Sequence, residues 1–395
     1  MATVLSPAKT RLQTMPNKFL PYGRQFIDED DIAAVVEVLR SNMLTTGPKV
    51  AEFEQAVAYF VGSSEAVAVN SGTAALHAAM YALNIKPGDE VIVPPMTFAA
   101  SANCIVYQGG TPVFADVDPN TLLIDPEQVE AKITARTKAI IAVDYAGQPC
   151  NYDALRSIAN RHGLHLVADA CHAIGAEYHN QRIGSLADLT VFSFHPVKHI
   201  TTGEGGMVVT NNPKFAERLR TFRNHGITTD HRQRAQAGSF YYEMTELGYN
   251  YRLCDIQCAL GISQLRKLPR FIARRQYLAA CYDRALAECP FVTPLACQNN
   301  ISHAYHLYVV RFDTQMLNQS HAEIFTGLRN QNIGVNVHYI PVHLHPFYRN
   351  TFGTQPGMCP VAEAAYEQIM TLPIFPQMTE QNIDDVVAAI QSLHA

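Results

Sequence analysis

Apolar residues in the first third of the chain recur at helical spacing. Ile32, Val35, Val36 and Leu39 predict one amphipathic helix with Asp28 as its cap, and Val50, Phe53, Val57 and Phe60 predict a second. Between them the stretch Ser41-Asn42-Met43-Leu44-Thr45-Thr46-Gly47 breaks the periodicity. From residue 66 the pattern changes to short apolar runs at 66–69, 91–93, 112–114, 139–143 and 164–167. Helical patterns alternate with them after Thr73, near 99–107, from Pro126 and from Tyr152. Alternation of this kind predicts an α/β fold, a mostly parallel sheet covered on both faces, with ligands at the carboxyl ends of its strands.

Chemistry-bearing residues fall at those ends. Leu189, Val191, Phe192 and Phe194 read as a buried strand, and Lys198 follows where it runs out, beside the small residues Thr201, Thr202, Gly203, Gly205 and Gly206. On its own this segment fits either a surface lysine beside a glycine turn or a catalytic lysine. The run 164–167 ends in Asp169-Ala170-Cys171-His172, which places a carboxylate at another strand end. A lysine amine and a carboxylate at neighbouring strand ends are what pyridoxal phosphate needs, one to bond its aldehyde and one to keep the pyridine nitrogen protonated. A helix cap is the alternative for Asp169. Strand 66–69 likewise runs into Asn70-Ser71-Gly72-Thr73 ahead of an Ala-rich helix, where amides at a helix start suit either phosphate or an ordinary Ser/Thr cap.

The set Asp169-x-x-His172, Ser193-Phe194-His195-x-x-Lys198 and Thr202-Gly203-Glu204-Gly205-Gly206 resembles the sugar aminotransferases of the DegT/DnrJ/EryC1/StrS family, over nearly the whole chain from about Tyr22 onward. His195-Pro196-Val197-Lys198 and Asp144-Tyr145-Ala146-Gly147 are most similar to the members of pseudaminic acid biosynthesis, which aminate the 4-keto carbon of a UDP-linked 6-deoxy-L-sugar. The resemblance implies a fold-type-I, pyridoxal-phosphate-dependent enzyme with L-glutamate as donor, working as a homodimer with shared active sites. It implies Lys198 as anchor and general base, Asp169 on the ring nitrogen, His172 seating the cofactor and Phe98 stacking on it. Ser71, Gly72, Thr73, Ser193 and, from the neighbouring subunit, Asn250 would hold the phosphate. Tyr22, the run Asn42, Met43, Leu44 and Thr45, and the run Asn336, Val337, His338 and Tyr339 would meet the nucleotide-sugar. Other keto-sugars of the bacillosamine, amino-arabinose or perosamine type stay open as substrates, as does a cofactor-binding regulator without turnover.

A length of 395 residues exceeds one ordinary domain. The expected division is a tail over 1–15, a large cofactor-binding domain over 16–269 and a small α/β domain over 270–395, with strands at 307–312 and 335–337 and helices near Ile324 and Val387. The polar, glycine-bearing segment 222–251 reads as a long loop. Thirty basic against thirty-five acidic side chains, net −5, argue against a nucleic-acid surface. Nine cysteines without a Cys-x-x-Cys pair fit reduced thiols in a cytoplasm, and Cys254 and Cys258 read as core. No apolar run approaches the length of a membrane span. The imidazole-dense run from Asn336 to His345 lacks the helical His pair or fixed carboxylate of a metal site, so no metal is expected.

Overall fold

The computed structural model describes residues 18–229 and 231–394, and the expected tail at 1–15 lies outside them. Helix Glu29–Leu39 starts where the sequence places it: Asp28 accepts from the backbone N–H of Asp31, and the Asp31 carboxylate accepts from that of Asp28. Helix Pro48–Val61 starts differently. Its first amides, on Gly47 and Lys49, donate to the buried carboxylate of Asp255, 2.7 and 3.0 Å away. That long-range cap also fixes the end of the 41–47 stretch, because Asp255 in turn donates its backbone N–H to the carbonyl of Leu44.

Seven strands make the main sheet, in the order Glu65–Val69, Gly206–Thr210, Leu189–Ser193, His165–Asp169, Thr137–Val143, Glu90–Val93 and Thr111–Phe114. All run parallel except Gly206–Thr210, which is antiparallel to both neighbours. The sequence pattern does not single out this strand, since its apolar run follows directly on the glycines that read as a turn. The strands are buried on both faces, as the absence of polar alternation in Val67, Ala68, Ile140, Ile141 and Val167 requires.

A second core forms around a smaller antiparallel sheet, Val292–Pro294, Tyr308–Phe312 and Ile369–Leu372, covered by helices His321–Asn330 and Glu380–Gln391. The expected strand at 335–337 is absent: Asn336 makes a single bridge to Thr371, and the third strand is Ile369–Leu372 instead. The 32-residue helix Asp255–Leu286 serves both cores, with Cys258 and Leu265 in the first and Leu278 and Tyr282 in the second, and it passes through residue 270 without a break. The expected loop 222–251 also contains a short helix, His231–Gln236.

Gly206 begins the antiparallel strand directly against the backbone turn at Ser71. A β-carbon there would lie 2.3 Å from the Ser71 carbonyl oxygen and 2.8 Å from the Gly72 nitrogen, and neither backbone atom can move without parting the two strands. We predict that Gly206→Ala lowers unfolding free energy by about 1–3 kcal/mol, read from denaturant melts, with weakened pyridoxal phosphate binding in the same variant. Unchanged melts would mean that the sheet accommodates the methyl.

Candidate active site

Two neighbouring strands and a third, separated from them by Gly206–Thr210, deliver the central residues. His165–Asp169 ends on Asp169, Leu189–Ser193 ends on Ser193 five residues before Lys198, and Glu65–Val69 leads into the Ser71 turn. Asp169 is buried. Its Oδ2 accepts from Ser101 Oγ at 2.6 Å, Ser101 Oγ lies 2.7 Å from Thr97 Oγ1, and Oδ1 accepts from the Cys171 N–H at 3.3 Å. The carboxylate is thus held by a hydroxyl relay and does not cap a helix. Ser101, on helix Ala100–Tyr107, is a residue that the sequence reading missed. Its spacing from Thr97, four positions apart around Phe98, is the one signal that pointed to it.

Lys198 sits half-buried, and burial pulls its amine below the usual lysine value against the opposing charges of Cys171 and Asp169. Its Nζ is 3.4 Å from Nε2 of His306, a second residue that the sequence reading passed over. His172 is buried, its Nε2 lies 3.2 Å from the Tyr339 hydroxyl, and its ring centroid is 4.4 Å from that of His306. Burial holds both imidazoles well below the ordinary histidine value, with the charge of Lys198 adding to the effect.

The Ser71 hydroxyl caps helix Gly72–Ala82 by accepting from Ala74 at 3.0 Å, so the cap alternative holds for that side chain. The amides of Gly72 and Thr73 remain in the first helical turn, where no intrahelical acceptor exists for them. Gly72 is a glycine because a β-carbon would stand 2.9 Å from Ser193 Cβ and 3.3 Å from Cys171 Sγ. Phe98 is 61% exposed and therefore not a core ring; it stands 6.1 Å, centroid to centroid, from Tyr339.

The expected sugar residues divide. Tyr22 packs on His338 with ring centroids 5.2 Å apart, His338 lies 2.8 Å from Thr371 Oγ1, and Asn336 bonds His338 at 3.3 Å. Val337 bridges the two cores. Tyr339 stands further in, between Phe98 and His172. Asn42, Leu44 and Thr45 are exposed and Met43 half-buried, on the loop anchored by Asp255. Asn250 is exposed. Its carbonyl accepts from the Asn70 side chain at 3.4 Å, and no hydrogen bond of its own side chain falls among the described residues. His343 pairs with Glu363 at 2.8 Å, apart from His338, and no group of three or more metal-ligating side chains occurs among the described residues.

These residues fit pyridoxal phosphate. An amine and a tied carboxylate share one strand-end floor, an exposed aromatic face stands beside them, and a helix N-terminus narrowed by a required glycine lies at the edge. Four buried histidine ring nitrogens, Nδ1 of His172, His199, His306 and His343, have no hydrogen-bond partner among the described residues.

Comparison with known proteins agrees with this reading. The sequence profile of the DegT/DnrJ/EryC1/StrS aminotransferase family matches residues 25–391. The spore coat polysaccharide biosynthesis protein SpsC of Bacillus subtilis is 43% identical over 380 residues, 95% of this chain and 97% of that protein. Helicobacter pylori PseC, an aminotransferase involved in the biosynthesis of pseudoaminic acid, superposes with a TM-score of 0.89 at 34% identity, covering 95% of this chain and 99% of that one. The sugar aminotransferase Spr1654 of Streptococcus pneumoniae in its pyridoxal-phosphate form gives 0.88 at 32% identity, over 95% and 98%. A fold-type-I sheet, a lysine and a carboxylate at adjoining strand ends, and these matches along almost the whole length place the chain in the DegT/DnrJ/EryC1/StrS family of pyridoxal-phosphate-dependent sugar aminotransferases.

Proposed function

We propose that the enzyme transfers the amino group of L-glutamate to the 4-keto carbon of a UDP-linked 2-acetamido-2,6-dideoxy-hexos-4-ulose of the L-arabino type, the chemistry of pseudaminic acid biosynthesis. The likeness to PseC over 95% of the chain, together with the His195-Pro196-Val197-Lys198 segment, carries this reading. A second keto-sugar, of the bacillosamine, amino-arabinose or perosamine type, stays in view because SpsC, named for another polysaccharide, is 43% identical. Product identification by NMR after incubation with each UDP-4-keto-sugar epimer separates the two. Amination confined to the other epimer would overturn the L-arabino reading.

Bound pyridoxal phosphate supplies an electron sink for the carbanion that forms when the donor's Cα loses its proton. Lys198 Nζ takes that proton and returns one at the sugar C4, so it is both anchor and general base. Burial, by lowering the lysine's proton affinity, keeps a larger share of it in the basic form near neutral pH. Asp169, tied by Ser101 and the Cys171 amide, holds the ring nitrogen protonated. His172 would seat the ring and Phe98 would cover its face. Ser71, Gly72, Thr73 and Ser193 grip the phosphate. Tyr22, Asn42, Met43, Leu44, Thr45, Asn336, Val337, His338 and Tyr339 form the sugar side, between a cofactor lobe over 16–269 and a small lobe over 270–395.

Asn250 completes the phosphate grip from a second subunit. Its exposed side chain supports this, as does the run of exposed apolar residues before it: Phe240, Tyr241, Tyr242, Met244 and Leu247, with Phe240 91% and Leu247 75% exposed. Apolar exposure on that scale is costly on a free monomer and fits a face covered by another copy.

Lys198→Ala should bind pyridoxal phosphate yet lose at least about 10³-fold in amine transfer, checked by cofactor titration and by single-turnover assay with glutamate. Substantial surviving transfer would remove Lys198 from its role. Asp169→Asn should melt within a few degrees of the parent while turnover collapses, because a neutral amide cannot hold the pyridinium proton. Loss of fold with normal activity in the soluble fraction would make the residue structural.

For the shared site, a chain carrying both Lys198→Ala and Asn250→Ala is paired with an unaltered chain. If the asparagine acts across the dimer, the one living lysine site receives the altered residue, and its cofactor affinity falls roughly ten- to a hundredfold. A normal cofactor titration in that hybrid would show that each subunit serves itself.

A further inference from the structure

His306 has no part in the assignments above, yet the fold takes pains to place it. The turn Tyr145–Gly147 holds Ala146 and Gly147 at positive φ, 59° and 100°, and its carbonyls accept from Ala304 and Leu307 on either side of His306. A β-carbon on Gly147 would stand 2.7 Å from the His172 carbonyl and 3.0 Å from the His306 nitrogen, so only glycine lets the two histidine segments meet there. From the opposite side Arg275, fully buried on the long helix, donates to the carbonyls of Tyr305 and His306 at 3.0 and 3.3 Å. The segment is clamped from both directions, and what it presents is an imidazole nitrogen 3.4 Å from Lys198 Nζ.

An ammonium has N–H groups and no lone pair, so a histidine facing a protonated Lys198 can only accept from it, with its own proton on Nδ1. Two cations at that distance out of water would repel strongly. The groups facing the pair are Asp169, Cys171, His172, His199 and His338 around the lysine, and His172, His199 and Arg275 around the imidazole. Cationic Arg275 opposes a charge on His306, and burial opposes it more strongly. Asp169 is the one carboxylate in the group, and it is engaged with Ser101.

We propose that His306 is a positioning residue for the catalytic amine: its neutral imidazole accepts from Nζ whenever Lys198 is free and protonated, holding the amine over the reacting carbon between the two halves of transfer. This rests on Lys198 being the amine of the reaction. The imidazole also offsets part of the burial cost of the ammonium. Its removal should therefore lower the lysine's proton affinity further, and a packing role alone would not.

The test uses the full-length chain free of cofactor. Formaldehyde with a hydride reductant methylates only unprotonated amines, and peptide mass spectrometry reads the Lys198 fraction modified across pH. With His306→Phe the midpoint should fall by about 1–2 pH units, the size expected for a lost hydrogen bond to a charged group. His306→Asn, whose amide is too short to reach Nζ, should fall alike and carries the test if the phenylalanine variant does not fold. His306→Gln, whose amide reaches the position of Nε2, should stay near the parent. A midpoint unmoved or raised in the phenylalanine and asparagine variants, with circular dichroism intact, overturns the proposal. A parent Lys198 that titrates like the surface lysines overturns the reading of the site as well.

Discussion

Withdrawing one lysine amine from water is the constraint on which the rest of this structure turns. A lysine serves as nucleophile and base only when it can shed its proton, and burial can lower its affinity for that proton by several pH units. A carboxylate nearby works in the opposite direction, so in the site proposed above Asp169 would have to serve the cofactor ring without pinning the lysine as an ammonium. The structure resolves this by engaging the carboxylate elsewhere, on the Ser101 hydroxyl and the Cys171 amide, and burial prevails at Lys198. The parallel strands are what make such an arrangement possible, since they end together at one edge and each turns a different residue into the same small volume.

Much of the architecture was legible because it rests on local periodicity. Six parallel strands, their helices and the Asp28 cap all follow from apolar spacing and a cap residue. Lys198, Asp169 and the Ser71 turn stood out because charged and small residues at strand ends are poor packing choices. What stayed hidden depends on distant partners. Asp255 caps a helix more than two hundred positions away, Ser101 touches Asp169 across two strands, and His306 reaches Lys198 only because a turn at Tyr145–Gly147 draws it in. Gly206–Thr210 was missed for a related reason: its apolar run follows directly on glycines that read as a turn, and it is held by pairing on both sides. At 335–337 the local preference for a strand lost to the neighbouring segment 369–372, which pairs with Tyr308–Phe312 in its place.

The Tyr145–Gly147 turn changes how the motif around it is understood. As sequence, Asp144-Tyr145-Ala146-Gly147 only marks a resemblance. In the fold Asp144 is buried and its carboxyl is pushed up to about 7 by that burial, while it accepts from the Cys150 amide and from the Tyr152 hydroxyl. The Tyr145 hydroxyl donates to the carbonyl of His338, whose ring packs on Tyr22. One short turn thus holds both the segment that carries the histidine beside the lysine and the backbone of His338.

The helix Asp255–Leu286 acts as a ruler laid across the molecule. At about 1.5 Å per residue its 32 residues span roughly 48 Å. Its first residue fixes the 41–47 loop, Arg275 near its middle steadies His306, and its far end is built into the second core. Adding or removing a single residue between Asp255 and Arg275 would rotate everything beyond it by about 100°, so that a face made for one core would meet solvent. The chain can therefore drift in length at its surface loops, whereas the distance from residue 255 to residue 275 behaves as a fixed dimension of the enzyme.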